Sequence, residues 1–260
     1  MRAPWQRLSL VVLTVALFGG CVNYVTTECP QCRVLNGRLR EGERRSLPRL
    51  PKTTRHLFIL VPGALGYSWE WTPAVRALEA ARAQGVEFVV FWWEPFGTVR
   101  GAARSLSQWT NDLLGANELP ALEQVDIVAH SMAGVIAAYS APSLIAPARG
   151  RMRISTIGTA FAGMIGPAFG YPDSAGSIAL FSVFSPWVKY PRPAPGIDFV
   201  EYRTTWPEDP VMEPRFGHDP APLTIGPQPR TRVQLPHMDH NKCVPLVVNE
   251  LLRATPAEGG

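Results

Sequence analysis

The feature that most constrains this chain is a series of short apolar runs that fail to alternate. They are "HLFILVPG" from His56, "VEFVVFWW" from Val86, "VDIVAH" from Val125 and "MRISTIG" from Met152. They are rich in Val, Ile or Phe and mostly lack the in-out period of a half-exposed strand, so they read as strands covered by protein on both faces. Between them the pattern turns helical: Pro73 to Ala83, Val99 to Leu114 and Met132 to Tyr139. Downstream, "IDFVEYR" and "TRVQLP" read as two further strands and Val244 to Leu252 as a closing helix. Strands alternating with helices predict one α/β domain over residues 56–260, built on a single doubly wound, mostly parallel sheet. No internal repeat is evident.

In an open parallel sheet the chemistry gathers in the loops that leave the carboxyl ends of the strands. Ser131 follows "VDIVAH", Glu208 and Asp209 follow "IDFVEYR", and His237 and His240 follow "TRVQLP". A serine hydroxyl is a weak nucleophile at neutral pH. It needs an imidazole to accept its proton and a carboxylate to fix that imidazole's tautomer. All three residue types are present in the order Ser, acid, His, each placed after a strand. Which of Glu208 and Asp209 would serve as the acid, and which of His237 and His240 as the base, stays open on the residues alone.

The stretch "VDIVAHSMAG" is similar to the nucleophile elbow of the α/β-hydrolase superfamily, on its lipase and esterase side, with Ala129 and Ala133 where the G-x-S-x-G pattern has glycine. "FILVPGALG" resembles that family's first strand and oxyanion loop, with Pro62 where histidine is common, and "ISTIGTAFAG" resembles its G-T-P-H-x-G segment. "EDPV" is similar to the acid turn, and "LPHMDH" to the turn that carries the histidine. The matches keep order and spacing over roughly 200 residues, which is far more specific than any one of them. The resemblance implies a triad of Ser131, Asp209 and His240, and an oxyanion hole made by the backbone N–H groups of Ala64 and Met132. It calls for no cofactor and no metal. His130 reads as a packing residue, and a rival zinc cluster in "HMDHNKC" lacks a second cluster to complete it.

The first residues, "MRAPWQRLSLVVLTVALFGGC", read as an export signal over 1–20: a basic start, an apolar run too short to span a bilayer, then small residues. Gly19 and Gly20 lead into Cys21, which resembles the lipidated cysteine of bacterial lipoproteins. The expectation is an exported, lipid-anchored envelope protein with a polar tether over 21–55. Loss of Arg2 and Arg7 takes the net charge from +4 to +2. No run of like charge marks a nucleic-acid surface. Cys29, Cys32 and Cys243 suit a structural bridge that ties the leader down in an exported chain, and which pair forms stays open.

The apolar segment from Met164 to Gly196 stands where the family often carries a lid, and Trp69, Trp71, Trp92 and Trp93 lie near the expected cleft as pocket walls or packing. Together these point to hydrolysis of carboxylic esters, with lipid or acyl esters as substrate. An acyltransferase on the same triad, and a non-catalytic envelope lipoprotein that keeps the fold for binding, are the alternatives.

Overall fold

The computed structural model describes residues 47–63, 71–93, 99–159, 195–204, 231–240 and 242–254. Among the described residues six strands form one parallel sheet: β1 (His56–Val61), β2 (Val86–Val90), β3 (Gln124–His130), β4 (Arg151–Ile157), β5 (Ile197–Arg203) and β6 (Thr231–Gln234). Their order across the sheet is β2-β1-β3-β4-β5-β6. The order reverses between β1 and β3, and that is where a doubly wound sheet opens a crevice at its carboxyl edge. The described helices are α1 (Trp71–Ala80), α2 (Val99–Ala116), α3 (Ala133–Ser140) and α4 (Cys243–Arg253).

The missing alternation in the strands is explained by burial on both sides. All six residues of β1 are buried. Leu57, Ile59 and Val61 face one core together with Val125, Ile127 and Ala129 of β3, while Phe58 and Leu60 face the other with Val128. The first core is closed by α2 and α3, and the second by α1 and α4. Helix α2 buries Val99, Ala103, Leu106, Thr110 and Leu113, a stripe at three- and four-residue spacing, and leaves Arg100, Arg104 and Gln108 exposed. Helix α3 is different. Seven of its eight residues are buried, so it is apolar all round and made of small residues that let it sit between α2 and the sheet.

Before the sheet begins, Leu47 and Leu50 pack against the first core. Asn117 ties that segment down, its Oδ1 accepting from the Leu50 N–H at 2.8 Å and its Nδ2 donating to the Pro48 carbonyl at 3.1 Å.

At the amino edge of the sheet, β1, β3 and β4 are joined by buried charge. Asp126 is fully buried; it accepts from His56 Nε2 at 2.6 Å and from Arg153 Nε and Nη2 at 2.5 and 2.9 Å. Burial alone would raise this carboxyl's pKa, but the hydrogen bonds from His56 and Arg153 and the guanidinium charge outweigh it and hold the pKa below the ordinary carboxylate value. Ser131 and His240 lie at the opposite edge.

Candidate active site

Ser131 occupies the turn between β3 and α3 with φ 55°, one of two non-glycine residues in the left-handed region among those described. For an L-residue with a Cβ that conformation costs about 1–2 kcal/mol, so it persists only where the surroundings enforce it. Four contacts do so. The Ser131 N–H donates to the Ile157 carbonyl at 2.8 Å, which ties the turn to the end of β4. The Ser131 carbonyl accepts from the Gly134 N–H at 3.0 Å and from Thr159 Oγ1 at 2.9 Å. From the other side comes Gly63, just past β1: a Cβ there would lie 3.1 Å from the Ser131 Cβ, a tight fit that glycine relieves.

Ala129 and Ala133 are both fully buried, and their methyl groups fit where the elbow pattern has glycine. The tight approach falls one residue later. A Cβ on Gly134 would meet Thr159 Oγ1 at 2.0 Å and Thr159 Cβ at 2.8 Å. The bare backbone is therefore needed at Gly134, and Thr159, which the sequence reading had passed over, both fills that space and holds the Ser131 carbonyl. A hydroxyl residue two positions past the end of β4 was the available signal.

His240 lies between β6 and α4, at the same edge. Its ring centroid is 4.7 Å from that of His130, the residue before Ser131. The His240 carbonyl accepts from His130 Nε2 at 2.9 Å and from the Cys243 thiol at 2.9 Å. His237, the other candidate, stands at a turn with φ 59°. Met132 follows Ser131 with ordinary helical dihedrals, φ −59° and ψ −29°, and its half-buried side chain packs on the first core. Asp209, Glu208, Ala64, Cys21, Cys29, Cys32, Trp69 and all but the last two residues of Met164 to Gly196 lie outside the described residues.

One expectation changes and one lies outside the described residues. Cys243 is fully buried and its thiol donates to the His240 carbonyl at the start of α4, while Cys29 and Cys32, the partners considered for it, are not among the described residues. His130 does more than pack, since its ring holds the loop of His240 from 110 residues away. Among the tryptophans, Trp71 is fully buried in the second core, edge-on to His130 at 6.4 Å, and Trp93 is buried with Nε1 donating to the Pro62 carbonyl at 2.8 Å. Both pack against residues that lead into the site. Among the described residues no group of three or more His, Cys, Asp or Glu side chains is placed to hold a metal ion.

The parallel sheet in this strand order, with Ser131 strained at the turn after β3, is the doubly wound α/β architecture expected from the sequence. No protein-family model matches the chain, and no curated protein matches it. Solved structures similar to it include the thioesterase RedJ of the prodiginine biosynthetic pathway in Streptomyces coelicolor, at 13% identity over 82% of this chain and 95% of that one, TM-score 0.48. Another is an esterase of a marine microorganism, at 12% identity over 79% and 96%, TM-score 0.45. Phospholipase PlaB of Legionella pneumophila is similar at 17% identity over 57% of this chain and 37% of that one, TM-score 0.44. Likeness this remote carries nothing about chemistry, which rests on the geometry around Ser131.

Proposed function

We propose that this protein is a serine hydrolase of carboxylic esters, with Ser131 as nucleophile, His240 as general base and Asp209 as the carboxylate that orients it. The observation that carries the proposal is the left-handed backbone of Ser131, held by four contacts between β3 and α3. Strain maintained at a strand-to-helix turn is what exposes a hydroxyl at the edge of such a sheet.

In the proposed reaction His240 takes the Ser131 proton as Oγ attacks the ester carbonyl. The backbone N–H groups of Met132 and Ala64 receive the oxyanion, each such donor lowering the barrier by about 3–4 kcal/mol. Collapse breaks the C–O bond, and His240 returns the proton to the departing alcohol. Water, deprotonated by the same histidine, then attacks the acyl-enzyme and releases the acid. Apolar acyl esters, lipids included, are the proposed substrates. The chain acts from the envelope, anchored through Cys21.

The test is a fluorophosphonate probe on the full chain and on Ser131→Ala, read by intact mass. One adduct on wild type and none on the variant supports an activated Ser131. A folded wild type that takes no adduct refutes the hydrolase and leaves the binding lipoprotein. Adding an alcohol acceptor to a working ester assay separates hydrolysis from acyl transfer. Incorporation of labelled fatty acid, abolished by Cys21→Ala, tests the anchor.

A further inference from the structure

His240 sits in a loop of eight residues between β6 and α4, which is tied to β5 at its start by the Leu235 N–H donating to the Arg203 carbonyl at 2.8 Å. Towards its end the His240 carbonyl oxygen accepts from two donors on different elements. Cys243 at the first turn of α4 supplies a local one at 2.9 Å, and His130 at the last position of β3 supplies the distant one, also at 2.9 Å. A carbonyl only accepts, so His130 Nε2 carries the hydrogen of this bond. The His130 ring is itself fixed. It is 3% exposed, its residue pairs with Ile157 in the β3–β4 register, Trp71 stands edge-on against it, and its Nδ1 lies 3.7 Å from where a Cβ on Gly63 would be.

We propose that His130 is a positioning residue that sets the separation between nucleophile and base. Its main chain leads directly into the strained turn of Ser131, and its side chain grips the main chain of His240. The two halves of the reaction centre, 109 residues apart in sequence, therefore share one rigid ring. This rests on the Ser131 and His240 reading above. Its chemical consequence follows from the steepness of catalysis in distance, where misplacing a group by about 1 Å can cost about 100-fold in rate.

Two full-length variants separate the donor from the ring: His130→Gln keeps an N–H at similar reach, and His130→Phe keeps an aromatic ring without the donor. Both are first checked for wild-type circular dichroism. The expected result is that His130→Phe loses about 10- to 100-fold in kcat with KM changed less than about threefold, and that His130→Gln recovers most of the loss. Amide hydrogen exchange across residues 235–242, which needs no turnover, is expected to quicken at least tenfold in His130→Phe and to stay near wild type in His130→Gln. Unchanged exchange in His130→Phe, or equal loss of kcat in both variants, overturns the proposal. If exchange responds as expected while Ser131→Ala retains turnover, the hydrolase reading has failed and with it the positioning role, leaving His130 as a loop clamp alone.

Discussion

Gly134→Ala is the sharpest test of how the elbow is built. In an open helix this change stabilises by up to about 1 kcal/mol, because alanine loses less backbone freedom on folding than glycine does. Here the added Cβ would lie 2.0 Å from Thr159 Oγ1 and 2.8 Å from its Cβ and Cγ2, so Thr159 has to move. Overpacking of this kind costs about 1–3 kcal/mol, and displacing the Thr159 hydroxyl gives up its bond to the Ser131 carbonyl, worth about 0.5–1.5 kcal/mol. Set against the helix gain, the net expected loss is about 1–3 kcal/mol. At about 2–4 °C per kcal/mol for a domain of this size, the melting midpoint falls by about 2–12 °C. The rate of probe addition at Ser131 falls with it. Thr159→Ala alone removes the hydroxyl bond but opens space, so the double variant loses about 1–2 kcal/mol less than the sum of the two single losses. Urea unfolding of the four proteins measures this directly. A Gly134→Ala protein that melts above wild type, or a double variant that is simply additive, would refute the packing account of this turn.

Further outcomes are expected elsewhere. Ser131→Gly should unfold at higher urea than Ser131→Ala by about 0.5–1 kcal/mol, since only glycine accepts φ 55° without strain; equal midpoints would show the strain to be absent. The Asp126 carboxyl has a folded pKa below its unfolded value near 3.9, so its contribution is present above about pH 4 and is lost as pH falls below that toward the folded value. Asp126→Asn should accordingly flatten the urea-midpoint profile on the acid side, and an unchanged slope there would count against the cluster. Asn117→Ala removes the bonds to Leu50 and Pro48, and limited proteolysis should then cut sooner within residues 47–55. Native Cys243 should resist alkylation until the chain unfolds, by peptide mapping, because it is fully buried.

Much of this architecture was legible because it is local. Burial on both faces writes itself as unalternating Val, Ile and Phe, so β3 was expected over Val125–His130 and is found over Gln124–His130, and the closing helix expected from Val244 to Leu252 runs over Cys243–Arg253. The helix expected from Pro73 begins at Trp71, whose side chain is buried with the rest of that helix's inner face. The strand expected through Trp93 ends at Val90; beyond it Trp93 turns to bond the Pro62 carbonyl, a partner 31 residues away that no local pattern announces.

What the sequence by itself determined was the order of strands and helices and the placing of Ser131 and His240 after strand ends, since both follow from periodicity and chain order. Only the tertiary structure decided which close approaches those residues need. Gly134 is bare because Thr159 arrives from β4; Asp126 is charged and buried because His56 and Arg153 arrive from two neighbouring strands. His130 is a clamp because the loop of His240 comes back to it across the sheet. These contacts join residues 25 to 110 positions apart, and a hydrogen bond or a van der Waals limit acts over a few ångströms of space, leaving no period in the chain from which to read it.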